Sequence, residues 1–221
     1  MLAASGNLVV RRTLALAVCR WHKSLAPVSP EHGLTINAMA SDFSHLEGSI
    51  VLVTGPMAAG KSTIAKALAA TFPKGVHVEG DVFRQFIVAG RSEMTPEPSK
   101  DAIEQLRLRY RLTAEVAEQY VSAGYTVVVE DVVAGSLLGE FVGLFTRRPL
   151  HLVVLLPDEK AIARREADRR EHGYDNWTIS GLYRVFAEET ERLGLWLDTS
   201  AVTPQSTVLE IHSRASESAL P

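Results

Sequence analysis

Ile50-Val51-Leu52-Val53-Thr54-Gly55-Pro56-Met57-Ala58-Ala59-Gly60-Lys61-Ser62-Thr63 is the stretch that decides the reading of this chain. Its first five residues are apolar or β-branched without a break, as in a short strand buried on both faces. Two glycines and a lysine–hydroxyl pair follow, and a helical pattern starts at Lys61. Strand, glycine-rich turn and helix N-terminus in this order form a cradle for phosphate. Gly55 and Gly60 let successive backbone N–H groups point inward, and the helix start adds its partial positive charge. Lys61 suits the β- and γ-phosphates as a point charge, and Ser62 offers its hydroxyl to magnesium. The stretch predicts a site for ATP with Mg2+, built from Gly55, Pro56, Met57, Ala58, Ala59, Gly60, Lys61, Ser62 and Thr63.

Outward from this loop the chain alternates between β-branched runs and helical periodicity, the pattern of a parallel sheet covered by helices. Strands are predicted at 50–54, 76–79, 125–130, 151–156 and 195–198. Helices are predicted at 61–71, 82–89, 100–123, 136–145, 159–171, 178–193 and 204–213. The longest carries Ile103, Leu106, Tyr110, Ala114, Ala117 and Val121 on one stripe, spaced by three and four residues. The stretch 90–99, with Pro96 and Pro98, reads as a loose loop. The expected fold is α/β, a P-loop NTPase-type three-layer α/β/α sandwich with a five-stranded parallel sheet.

Length and composition agree with one such domain. The 221 residues are 46% hydrophobic and 22% charged, with a net charge of −3, which gives no general attraction to nucleic acid or to an anionic membrane. A single cysteine, Cys19, excludes an intrachain disulfide and suits a reducing, cytoplasmic setting. No apolar run is long enough to span a bilayer. Residues 1–40 differ from the rest: Arg11, Arg12, Arg20 and Lys23 precede the first acid, Glu31. They read as a poorly ordered extension to a domain spanning 41–221. It is either a basic presequence or, the preferred reading, sequence upstream of a true start at Met39.

Acids stand where the predicted strands end. In a parallel sheet, loops at the carboxyl ends of strands line the ligand crevice, which directs Glu79 and Asp81 toward the phosphates. Asp81 suits a proton acceptor for an attacking hydroxyl, and Glu79 a magnesium ligand through water; helix capping is the plainer reading of Asp81. Arg84, one turn on, is either an anchor for an anionic group or a solvated arginine. Glu130 and Asp131 close the third strand. One of them is expected at the metal, and Asp131, closer to the strand end, is preferred. Arg164, Arg165, Arg169 and Arg170 cluster in one helical stretch ahead of Glu171-His172-Gly173-Tyr174-Asp175. Arg165 and Arg169 share a face at i, i+4 and suit a lid over the phosphates; a solvated helix with balanced charge is the plainer alternative. The run from Asp198 to Pro204 is expected to border the adenine ring.

Two P-loop classes are excluded: large motor ATPases, which need more chain than this, and GTPases of the switch type. There is no Asn-Lys-x-Asp segment to read guanine, and no glycine three residues after Asp131. The domain from Ile50 to about Arg214 resembles the small P-loop kinases grouped with shikimate, gluconate and adenylylsulfate kinases. It is most similar to the chloramphenicol phosphotransferase-like proteins. The resemblance rests on the phosphate loop, Gly80-Asp81, Val129-Glu130-Asp131-Val132, the arginine helix and Leu197-Asp198-Thr199-Ser200. It implies that Asp81 is the general base acting on the acceptor hydroxyl. The expected activity is transfer of the γ-phosphoryl group of ATP to a hydroxyl of a small molecule, an antibiotic or a metabolite. Asp81, Lys61, Arg165 and Arg169 are its expected catalytic residues, and Ser62, Asp131 and Glu79 its metal residues. No nucleic-acid or membrane partner is expected. A nucleotide or nucleoside kinase, and a regulatory module that binds ATP without catalysis, are the alternatives.

Overall fold

Alternation along the first strand sets up the two halves of the core. In the computed structural model, which describes residues 44–169, 173–174 and 176–221, strand β1 (Ile50–Thr54) is buried throughout. Ile50 and Leu52 face one cluster of apolar side chains, and Val51 and Val53 the other. The elements that follow are α1 (Lys61–Ala69), β2 (Gly75–Glu79), α2 (Asp81–Gln85), α3 (Lys100–Ser122), β3 (Thr126–Glu130) and α4 (Leu137–Val142). Then come β4 (Leu150–Leu155), α5 (Glu159–Ala167), α6 (Ile179–Arg184), β5 (Leu195–Leu197), α7 (Pro204–Ser213), α8 (Ala215–Ser218) and β6 (Ala219–Leu220).

The sheet order is β2-β3-β1-β4-β5, and every pairing along it is parallel. This is the expected three-layer sandwich. The two-residue β6 adds an antiparallel edge against Leu150 and His151, and is too short to announce itself in the sequence. One face of the sheet is covered by α3, α4 and α6 through Leu106, Tyr110, Ala117, Phe141 and Leu182. The other is covered by α1 and α7 through Ile64, Leu68, Val208 and Ile211. Fully burying a side chain of this size is worth about 1.5–3 kcal/mol, so the two clusters fix the strand ends that carry the site.

Several predicted helices are shorter than expected. The second spans Asp81–Gln85 rather than 82–89, and the sixth ends at Arg184, passing into a π-helical turn over Val185–Glu189. The 1–40 extension, Arg170 and the Glu171, His172 and Asp175 of the lid run lie outside the described residues. Among the described residues, no helix is long and apolar enough to cross a membrane.

Candidate active site

The phosphate loop joins the end of β1 to α1, and its backbone follows the expected turn. Ala58 has φ 59° and Gly60 φ 95°, so the loop curls back before the helix begins. Gly55 is required by contact: a Cβ there would lie 2.2 Å from the Leu155 carbonyl oxygen of β4. Lys61 is buried, and its ammonium donates to the Pro56 carbonyl at 3.0 Å. Burial lowers its pKa, opposed by the charges of Glu130 and Asp131. Ser62 and Thr63 are exposed on the wall of a cleft of about 2300 Å3. Single-ligand pockets are typically about 300–1,000 Å3, so this cleft has room for two molecules side by side.

The acids arrive at the cleft from β2 and β3. Pairing of Glu79 with Glu130 brings the two strand ends level. Glu79 has its pKa raised by burial, and further by Glu130 and Asp81. Alternation splits the pair that closes β3. Glu130 follows Val128 toward the α1 face, where it lies 3.9 Å from His77. Asp131 turns to the α3 face, and its Oδ1 accepts from Arg109 and from the Val132 N–H. Asp131 Oδ2 is buried with no protein donor, and burial pushes this carboxyl up to about 6, although Arg109 opposes the rise.

Asp81 is not a helix cap. Gly80 holds that position with no side-chain bond, and Asp81 is the first helical residue. Its Oδ1 accepts from Arg84 Nε at 2.9 Å and from Arg109 Nη1 at 3.0 Å. Oδ2 has only two longer contacts, to Arg84 Nη2 and Gln85 Nε2, both 3.4 Å. Burial alone would raise its pKa, but the Arg84 hydrogen bond and the charge of Arg109 outweigh it and hold the carboxyl below its usual range. The loop 90–99 is pinned rather than loose. Gln105 bonds to Gly90 O and Ser92 N, Arg84 pairs with Glu93, and Trp177 donates to Met94 O.

Arg165 and Arg169 both reach the cleft wall but are held differently. Arg165 donates to Ala59 O of the phosphate loop at 3.3 Å and to Thr199 O of the β5–α7 connection. Arg169, beyond the end of α5, pairs with Glu166 at 3.3 Å. Tyr174 donates to Met57 O at 2.9 Å, so the far side of the arginine run also rests on the phosphate loop. From the Asp198–Pro204 run, Thr199, Val202 and Pro204 line the cleft. Arg109 had not been singled out from the sequence. Its guanidinium is only 12% exposed and bridges Asp81 and Asp131.

The donor set suits a hard divalent cation shared with phosphate. Ser62 supplies a hydroxyl, Glu79, Glu130 and Asp131 line the same cleft, and Asp131 Oδ2 is a buried acceptor without a protein donor. Among the described residues, no three acidic, histidine or cysteine side chains form a cage by themselves. A cation here would need its remaining ligands from a bound phosphate and water, as magnesium does in phosphoryl-transfer sites.

Solved structures share this architecture. A sugar kinase from Janibacter sp. HTCC2649 superposes with a TM-score of 0.58 at 19% identity, covering 76% of this chain and 95% of its own. The tunicamycin resistance protein of Deinococcus radiodurans gives 0.55 at 15% identity, covering 78% and 98%. The APS kinase of Mycobacterium tuberculosis, in complex with AMPPNP and APS, gives 0.53 at 16% identity, covering 76% and 96%. At these identities the likeness establishes the P-loop kinase fold. No curated protein matches the chain in sequence. Residues 50–181, more than half of the 221, match the family described as AAA domain, and the chain belongs to that family.

Proposed function

We propose that this chain is an ATP-dependent phosphotransferase that moves the γ-phosphoryl group to a hydroxyl of a small molecule. The observation that carries this reading is the position of Asp81. It lines the same cleft as Lys61 and Ser62, and its Oδ2 is the more loosely held of its two oxygens. The phosphate loop and Lys61 cradle the phosphates, with Arg165 of α5 held against the loop and Arg169, just beyond α5, closing over them. Ser62, with Glu79 and Asp131 through water, would hold magnesium, which supplies charge neutralisation between the β- and γ-phosphates. The acceptor oxygen attacks the γ-phosphorus in line. The bond from that phosphorus to the β–γ bridging oxygen breaks, ADP leaves, and the hydroxyl proton passes to Asp81 Oδ2. A carboxylate held below its usual pKa is a weak base. It suffices because the transition state is loose and the hydroxyl turns acidic only as the new bond forms.

Asp81→Asn tests the reading. Turnover of an alcohol acceptor is expected to fall by roughly 10²–10⁴-fold, the usual worth of general acid–base catalysis, with AMPPNP affinity nearly unchanged and a modest fall in melting temperature from the weakened pairing with Arg84 and Arg109. A variant that turns over at the parent rate removes Asp81 from the chemistry.

A further inference from the structure

The two arginines of the α5 segment are held by different chemistry. Arg165 donates to backbone carbonyls, Ala59 O and Thr199 O, whereas Arg169 pairs with the carboxylate of Glu166 at 3.3 Å. Glu166 follows Ile162 by four residues on the stripe that α5 buries, and it is only 7% exposed. Two local effects disfavour an acid there. Burial penalises a carboxylate, and the negative end of the helix dipole repels it, since α5 ends one residue on, at Ala167. A buried charge is tolerated where it is paired. Oε2 of Glu166 accepts from Arg169 Nη1, and Oε1 accepts from the Gly173 N–H.

These contacts converge on the phosphate loop. A Cβ on Gly173 would lie 3.1 Å from Met57 Sδ and 3.2 Å from Arg169 Nη1. Tyr174, next in the chain, donates to Met57 O. Arg169 is thus packed between Glu166 and a segment that leans on the loop. Burial lowers the pKa of Lys61, and the positive charge of Arg169 lowers it further, so the two cations act on one volume of the cleft. Glu166 engages one edge of the Arg169 guanidinium. Among the described residues, Nε and Nη2 make no hydrogen bond, and the side chain is 45% exposed.

Building on the phosphotransferase reading above, we infer that Glu166 is a positioning residue, which fixes Arg169 by one edge so that its other edge is presented to the γ-phosphate. Glu166 acts through Arg169 and needs no contact with nucleotide or acceptor. An arginine ordered before the nucleotide arrives loses less rotamer freedom on contact. Competition with phosphate for Arg169 is the opposite role. One contact at 3.3 Å through Nη1 leaves most of a five-donor fork open, which favours presentation over competition.

AMPPNP differs from ADP by its γ-phosphoryl group, so the ratio of their affinities reads this contact. Both are measured by calorimetry with Mg2+ on the full chain. Arg169→Ala should lower the ratio roughly tenfold. Glu166→Gln keeps the shape and removes the charge, and should lower the ratio roughly 2- to 10-fold with ADP affinity nearly unchanged. In the Arg169→Ala background the same change should leave the ratio where it is, because the group it positions is gone. Arg169→Lys keeps the charge without the two-edged fork and should lose nearly as much as Arg169→Ala; it decides the matter even where Glu166→Gln fails to fold. An unchanged or raised ratio in folded Glu166→Gln overturns the inference. So does additivity in the double variant, or an Arg169→Lys chain with the parent ratio. In those cases a lowered ratio in Arg169→Ala leaves the phosphotransferase reading standing. An Arg169→Ala chain with the parent ratio removes Arg169 from the γ-phosphate, and the inference with it. Failure of AMPPNP to bind the parent chain overturns the phosphotransferase reading itself, and the inference falls with it.

Discussion

Replacing Gly80 by alanine should destabilise the protein, against the usual sign for this change. Gly80 has φ −65° and ψ −33°, ordinary helical values at which alanine is normally favoured by about 0.5–1 kcal/mol. Backbone freedom therefore gives no reason for glycine here. Space does: a Cβ would stand 2.2 Å from Asp131 Oδ2 and 3.2 Å from Thr113 Oγ1. Ordinary contact begins near 3.4 Å, so the carboxylate or the α2 backbone must move by about 1.2 Å. Asp131 has little room to retreat, because its Oδ1 is held by Arg109 and by the Val132 N–H. Overpacking of this kind costs about 1–3 kcal/mol, and pushing Asp131 off Arg109 adds the loss of a buried pairing. We expect a net loss of about 2–3 kcal/mol, a fall in Tm of roughly 4–12 °C for a chain of this size. Urea unfolding of the parent, Gly80→Ala, Asp131→Ala and the double variant measures it. Asp131→Ala clears the clash, so the double variant should lose less than the sum of the single changes. Gly80→Ala within 0.5 kcal/mol of the parent, or strict additivity, would refute the steric account.

Further outcomes follow from the same geometry. Lys61→Ala should abolish turnover and weaken AMPPNP binding while the chain still melts cooperatively; normal affinity and rate together would remove Lys61 from phosphate binding. Arg165→Ala should weaken nucleotide binding and lower Tm, because Arg165 braces the phosphate loop, whereas Arg169→Ala should lower kcat more than affinity. Steady-state kinetics with calorimetry on both variants checks this, and identical behaviour of the two would contradict the distinction. Acid sensitivity should trace partly to His212, whose imidazole donates to or accepts from Thr71 Oγ1 at 3.0 Å and is lowered by burial to about 4. The unfolded imidazole, near its ordinary 6.5, takes up a proton that the folded one refuses. Its contribution is thus present above pH 6.5 and lost as pH falls through about 4. His212→Gln should flatten that limb of the Tm–pH curve; an unchanged limb would clear His212.

The sheet was legible because burial on both faces leaves near-continuous apolar runs, and β1 and β3 could hardly be read otherwise. The phosphate loop was legible because its chemistry is contiguous in sequence. The ion-paired row around Asp81 was not, since its groups come from four separate stretches. Arg109 shows why. It follows Leu106 by three residues and precedes Thr113 by four, on the stripe that α3 buries, yet it sits in an Arg107-Leu108-Arg109-Tyr110-Arg111 run that reads as solvated charge. Only the acids at the ends of β2 and β3 make its burial tolerable, and pairing across 22 and 28 residues is invisible to local pattern. The loop 90–99 looked loose for a related reason. Its prolines are local, whereas Gln105, Arg84 and Trp177, which tie it down, are not.

Arg165 bears on mechanics as well as on charge. Its guanidinium joins the phosphate loop at Ala59 to the β5–α7 connection at Thr199, and it lies two residues before the end of α5 at Ala167. The body of that helix is thus riveted to two of the walls it would have to leave in order to swing. Any closing stroke of the segment beyond takes its fulcrum at Ala167–Asp168 rather than at the start of α5.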